Sequence, residues 1–306
     1  MRKQFFYITF FLLVSVVANA QSSSYWRKYK HEIFGGVGTT NLMGDLGGSD
    51  IVGSKTPVRD FDFKASRFVI HGGYFYRFHE RWSVGASVAF GRLYGGDKYT
   101  NEPNRSERNI NFHTTIIEFS PMIYFSIITE KYSHAFKVGQ RGKVSIRPNL
   151  YLFAGISGFW FNPKAQYKGD IAEFYDNWYA LQPLGTEGQG IIESRDPYSR
   201  IAVAIPVGLG ISFPLNRRLS LGLEYGFRYT FSDYIDDVST SYVSKDIFDD
   251  PVAAWFSAPP NANGEVWNGS TPGSQRGNTK NNDVYMFLSV TVKYKLPSKR
   301  LYSPKF

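Results

Sequence analysis

The chain has 306 residues, a formal net charge of +9 and no cysteine, so disulfides and thiolate chemistry are excluded throughout. Its lysines and arginines form no long basic block, which leaves nucleic-acid binding without support. Aromatic residues reach 17%, with 26 Phe and 21 Tyr, which suits a chain that must put rings against something other than water.

Arg2 and Lys3 precede an apolar run from Phe5 to Val17 and the triplet Ala18-Asn19-Ala20. A positive start, an apolar stretch and a small-x-small triplet predict a signal peptide over residues 1–20, with Gln21 as the new first residue. A spanning helix needs about 20 apolar residues, and this run is shorter. Cleavage would remove Arg2 and Lys3 and no acid, lowering the charge from +9 to +7. No cysteine follows the triplet, so lipid attachment through an N-terminal Cys is excluded. No later stretch is apolar over the length of a spanning helix, and residues 21–306 read as one domain.

Eight segments of period two follow. The first, about Lys30 to Met43, is Gly-rich and weak. The second, Phe68 to Phe78, sets Phe68, Ile70, Tyr74, Tyr76 and Phe78 against His71 and Arg77. The third, Trp82 to Tyr94, sets Trp82, Val84, Val88 and Phe90 against small residues. The fourth, Asn111 to Phe125, sets Ile117, Phe119, Ile123 and Phe125 against Glu118, Ser120 and Tyr124. The fifth, about Asn149 to Phe161, is aromatic on both faces, so its orientation stays open. The sixth, Ile201 to Phe213, alternates aliphatic with small residues and Pro206. The seventh, Leu219 to Phe231, is large and apolar at every odd position, with Glu224 and Arg228 on the other face. The eighth sets Val284 through Leu296 opposite Tyr285, Ser289, Thr291, Lys293 and Lys295.

Each segment matches the 9–11 residues of a tilted membrane strand, and eight is the smallest usual closed barrel. Closure matters because lipid offers no partner to a strand edge. Links 44–67, 162–200 and 232–283 are long and 95–110 is intermediate, whereas His79–Arg81 and Leu215–Arg218 are tight. That asymmetry predicts an all-β, eight-stranded antiparallel transmembrane β-barrel with long extracellular loops and both termini in the periplasm. The link 126–148 is too long for a plain turn. A secreted β-sandwich or lipocalin-like barrel is the rival, with the apolar face turned inward and Glu224, Arg228, Lys293 and Lys295 facing water.

An eight-stranded lumen is filled by its own side chains. Arg77, Glu118, Glu224, Arg228 and Lys293 are therefore expected to form an internal charge network, Glu118 and Glu224 pairing with Arg77 or Arg228. An ion or proton path is the functional alternative. A barrel lipase would need a serine beside a histidine base. Only His113 approaches that, with Thr114 and Thr115 beside it but no serine close behind, and an exposed loop histidine is the better account; no enzyme is expected. Asp233, Asp236, Asp237, Asp249 and Asp250 lack EF-hand spacing and read as solvated loop carboxylates paired with Arg276 or Lys280. Gly35, Gly36 and Gly38 have no helix behind them, so no phosphate cradle forms. No cofactor or metal is expected. The link Ile127–Arg147 carries Lys131, Lys137, Arg141, Lys143 and Arg147 against one acid, Glu130. It is either a solvated hairpin or a grip for an acidic periplasmic partner.

Several stretches resemble the PorG-like outer-membrane barrels of Bacteroidota. They are His31-Glu32-Ile33, Asn41-Leu42-Met43-Gly44-Asp45-Leu46, Arg108-Asn109-Ile110-Asn111-Phe112 and Phe161-Asn162-Pro163-Lys164-Ala165. Later come Leu181-Gln182-Pro183-Leu184-Gly185-Thr186-Glu187-Gly188-Gln189, Asp233-Tyr234-Ile235-Asp236-Asp237-Val238-Ser239, Arg276-Gly277-Asn278 and Asn282-Asp283-Val284-Tyr285. The resemblance implies a barrel of the type IX secretion apparatus, set in outer-membrane lipid and contacting periplasmic ring proteins. It supplies no catalytic residues, and none of its motifs lies in the basic link. The expectation is a non-enzymatic anchoring or assembly component, with a small-solute channel or ligand-binding barrel as the alternative.

Overall fold

The computed structural model describes residues 25–46, 65–97, 107–134, 144–261, 264–279 and 281–297. The expected signal peptide, Lys137, Arg141, Lys143 and Lys280 lie outside the described residues. A short helix α1 (Tyr25–Lys28) leads into β1 (His31–Met43), β2 (Arg67–Arg77), β3 (Trp82–Gly96) and β4 (Asn111–Ile128). Then come β5 (Lys131–His134), β6 (Val144–Arg147), β7 (Asn149–Gly155), β8 (Ser157–Gln166) and β9 (Trp178–Ala180). β10 (Ile201–Pro214), β11 (Leu219–Thr230), helix α2 (Pro251–Ser257) and β12 (Val284–Leu296) complete the chain order.

Every stave of the ring pairs antiparallel with both neighbours, and the ring closes where β12 meets β1, Gly35 opposite Val292. β7 and β8 together make the fifth stave, since both run between β4 and β10. The break falls at Ile156, and proline explains it. The registers set Pro121 of β4 on one side of Ile156 and Pro206 of β10 at the adjoining rung on the other. Neither proline has an N–H for the ladder, so pairing lapses for one residue and resumes. Ile156 still donates its own N–H to the Pro121 carbonyl at 3.2 Å.

The faces sort by period two. Val37 is 62% exposed and Phe119 55%, whereas the charged Glu118 is 1% and Lys293 4% exposed. Apolar side chains thus cover the outside of the cylinder and ionisable groups are sealed inside, the reverse of a soluble sandwich. The fifth stave resolves as well: Tyr151, Phe153, Phe159 and Phe161 point inward and Leu152 outward.

Ring stacking fills the lower lumen, where Phe34, Phe75, Met122, Tyr124, Tyr151 and Phe153 form one cluster. Small residues opposite make the space. A Cβ on Gly210 would lie 2.4 Å from the Tyr151 ring, and one on Gly208 equally close to Phe153. At the short-turn end the link after β4 continues as the β5–β6 hairpin, Lys131 opposite Arg147. At the long-loop end, Ile235, Val238, Val252, Phe256 and Leu181 pack on Leu42, Leu93, Phe112 and Tyr285 as one buried cluster. The segments 162–200 and 232–283 therefore close the barrel with their described residues rather than standing free above it.

Candidate functional site

β4 runs the length of the axis and orders the interior. Its inward residues descend from Phe112 and Ile116 through Glu118 and Ser120 to Met122, Tyr124 and Ser126. Midway, Arg228 Nε sits 3.3 Å from Glu118 Oε2, the Tyr285 hydroxyl donates to the same oxygen at 2.6 Å, and the Ser120 hydroxyl donates to Oε1. The Arg228 guanidinium lies 3.8 Å above the Phe287 ring. Below it, Lys293 Nζ pairs with Glu224 Oε1 at 2.9 Å and donates to the Tyr151 hydroxyl at 2.6 Å. His71 Nε2 faces Ser289 Oγ at 3.0 Å. Each carboxylate has a cation and a hydroxyl, which is what offsets the desolvation of a charge in so tight a space.

Arg77 departs from expectation. It pairs with neither Glu118 nor Glu224 but lies 3.4 Å from Glu130 and 4.0 Å from Glu32, at the short-turn mouth. The reason is position: Arg77 ends β2, several rungs below the Glu118 layer. Glu130 also receives Lys295 Nζ at 2.6 Å. Burial pushes the Glu130 carboxyl up, but Lys295 and Arg77 outweigh it and hold it below the usual carboxylate range. Glu130 is thus turned into the barrel and does not offset the lysines of the hairpin. Lys131 and Arg147, the described members of the basic set, are exposed, and Arg147 Nε donates to the Thr129 carbonyl at 2.7 Å. A recess of about 20 Å³, room for one water, remains between Glu32, Arg77, Tyr124, Asn149 and Lys293. Lys293 of the lower ion pair and the Arg77–Glu32 contact both line it.

Asp249 and Asp250 are exposed, as the sequence reading expects, but for Asp236 and Asp237 that reading is corrected. Asp236 and Asp237 are fully buried. Thr186 and Tyr198 hydroxyls each donate to Asp237 at 2.6 Å. Arg276 Nη1 lies 3.1 Å from Glu187 Oε1, and Glu187 accepts the Ser239 and Thr240 N–H groups. Gly185 and Gly188, at φ 58° and 82°, make the tight path that turns Glu187 inward. Arg108 grips both oxygens of Asp97, at 2.8 and 2.9 Å, and donates to the Asp45 and Arg276 carbonyls. Asp236 accepts the Leu46 N–H and Asp283 the Ile235 N–H. Burial, with Asp45 and Glu187 nearby, pushes the Asp233 carboxyl up to about 7. Burial raises Asp237 to about 6 against the pull of Arg276. Burial and the neighbouring Asp45 raise Asp236 well above the ordinary range, and burial and Asp236 do the same to Asp283.

This cap is built from the loop motifs singled out in the sequence, so their specificity is that of a folded lid on the barrel. Among the described residues no group of three or more acids or histidines is arranged to hold a metal ion. His113 is also not in a loop. It lies on the outward face of β4, half-buried, its ring 4.2 Å from Trp178. Among the described residues no serine hydroxyl is bonded to it, and Thr114 points inward.

A closed antiparallel ring, apolar outside and ion-paired within, defines a membrane-spanning β-barrel protein. Residues 8–248 match the outer membrane protein beta-barrel domain, and the chain belongs to that family of the bacterial outer membrane. No curated protein matches it. Among solved structures it is similar to Neisserial surface protein A, with 10% identity over 87% of this chain and 97% of that one, at a TM-score of 0.38. It is similar also to the attachment invasion locus protein of Yersinia pestis, with 11% identity over 88% and 99% and a TM-score of 0.35. The outer membrane protein OprG from Pseudomonas aeruginosa gives 9% identity over 89% and 98% and a TM-score of 0.34.

Proposed function

We propose that this protein is a non-enzymatic anchoring or assembly component of the outer membrane, its termini and β5–β6 hairpin in the periplasm and its long loops outside. The observation that carries the reading is the interior: two buried ion-pair layers, an aromatic cluster and a folded cap fill the axis. Such a cylinder supports an attached part better than it passes a solute. The resemblance to PorG-like barrels extends the proposal to type IX secretion, with a periplasmic ring protein as the partner. The hairpin offers the contact. Its root is fixed by Glu130 bonding to Lys295 and Arg77, and Lys131, Lys137, Arg141, Lys143 and Arg147 leave it strongly positive.

The test is a pull-down of the full-length protein from its native membranes, comparing wild type with a Lys131→Glu, Lys137→Glu, Arg141→Glu, Lys143→Glu variant. Loss of a periplasmic protein from the variant, with the barrel still folded by its mobility on unheated gels, is expected. Equal recovery from both overturns the docking role. Open-channel steps from the wild type in a planar bilayer would overturn the sealed interior and favour the small-solute channel.

A further inference from the structure

The outer wall of the barrel carries an unused cationic surface just above its apolar band, on the long-loop side. β3, β4 and β8 extend past the band there. Along β3 the outward residues pass from Val88 and Phe90 to Arg92 and Tyr94. Along β4 they pass from Phe119 and Ile117 to Thr115 and His113, and along β8 from Trp160 to Asn162 and Lys164. The registers bind these into two rows. Arg92 lies opposite Thr115 and Thr115 opposite Asn162, and Arg200 Nη1 comes within 3.5 Å of Asn162 Oδ1. In the next row Tyr94 lies opposite His113 and His113 opposite Lys164.

Adjacent strands stand about 4.8 Å apart, so Lys164 and Arg200 flank Thr115 and Asn162 on one side and Arg92 on the other, its guanidinium 6.0 Å from the Phe68 ring. Among the described residues none of Arg92, His113, Lys164 and Arg200 has an acidic partner. Directly below, Phe90 is 43% and Ile117 46% exposed, continuous with the lipid-facing wall. Trp178, exposed and tilted against the His113 ring, and Tyr94 supply the amphipathic rings that favour a headgroup interface.

Arginine and lysine side chains with no acidic partner among the described residues, set over an apolar wall, want an anion that brings its own hydrocarbon. We propose that Arg92, His113, Lys164 and Arg200, with the Thr115 hydroxyl and Asn162 amide, bind the phosphate headgroup of an outer-leaflet lipid whose acyl chains lie along Phe90, Ile117 and Trp160. The assignment to the outer leaflet rests on the reading that the long loops face outward. The phosphate site itself does not.

The experiment uses the full chain in phosphatidylcholine nanodiscs carrying either diphosphoryl lipid A or its phosphate-free form, with retained lipid counted by native mass spectrometry after detergent extraction. Both leaflets hold the same lipid, so the readout is independent of orientation; labelling of the long loops on intact cells tests orientation separately. Wild type should retain the phosphorylated lipid, and an Arg92→Gln, Lys164→Gln variant about tenfold to thirtyfold less, as two interfacial charges are lost. Arg217→Gln, at the opposite end, should behave as wild type. Arg200→Gln provides a second, milder variant should the double variant fold poorly. Equal retention of the phosphate-free lipid, or wild-type retention by folded Arg92→Gln, Lys164→Gln, would overturn the proposal. So would complete displacement of the lipid by inorganic phosphate, since the site would then recognise the free anion.

Discussion

Lys295 Nζ stands 2.6 Å from Glu130 Oε2, joining the last strand of the barrel to the root of the hairpin that leaves it after β4. Arg77 completes the contact from β2. Three separate stretches of chain are thereby tied at the short-turn mouth through one carboxylate.

Because Glu130 is held below the ordinary carboxylate range, its contribution is present at pH above about 5 and is lost as acid drives it through its lowered folded value. Glu130→Gln leaves Lys295 buried without its anion and should cost about 3–5 kcal/mol at neutral pH. It should also flatten the acid limb of a urea-unfolding series in detergent. A variant that unfolds at the wild-type urea concentration across pH would contradict this.

The cap at the other end has the opposite sign. Asp233 at about 7 and Asp237 at about 6 are raised, so the stability of their neutral, buried forms is full below about pH 4 and is lost as pH rises through those values. Amide protection across residues 235–239, corrected for intrinsic exchange, should fall between pH 5 and pH 8. Asp233→Asn should reduce that dependence. Protection that rises with pH would refute the sign.

Tyr151 needs the gap left by Gly210. Gly210→Ala would place a methyl 2.4 Å from the ring, and the ring is fixed by its hydroxyl contacts to Glu224 and Lys293. The expected loss is about 1–3 kcal/mol, read as a lower unfolding midpoint of the refolded barrel. A second change, Tyr151→Phe, removes the hydroxyl oxygen at 2.4 Å but leaves ring carbons at 2.4 and 2.7 Å, so only partial restoration is expected.

Much of this molecule follows from alternation alone. With a period of two, the residue type at Leu221 or Phe119 fixes which face meets hydrocarbon, and Glu118, Glu224, Arg228 and Lys293 are sent inward as a consequence. Strand length and count were legible for the same reason, because a bilayer sets the one and closure the other. What alternation does not encode is height along the axis. Arg77 was correctly placed on the inward face of β2, yet its partner is Glu130, because strand tilt and stagger decide which rungs share a level.

The loops show the same limit more strongly. Asp236 and Asp237 look like solvent residues in a polar stretch, and only the folding of distant segments, Leu46, Thr186, Tyr198 and Arg276, removes them from water. Likewise the lapse at Ile156 needs Pro121 and Pro206 on its two flanks, a relation between three strands that no single strand reveals. Apart from the fifth stave, whose orientation alternation leaves open, the strands of the ring and their inward and outward faces are legible in the chain, since each is a local property of side chains on a pleated ribbon. The tertiary structure alone decided who pairs with whom, since charge pairing falls off with distance and distance across a tilted ring is not written in chain order.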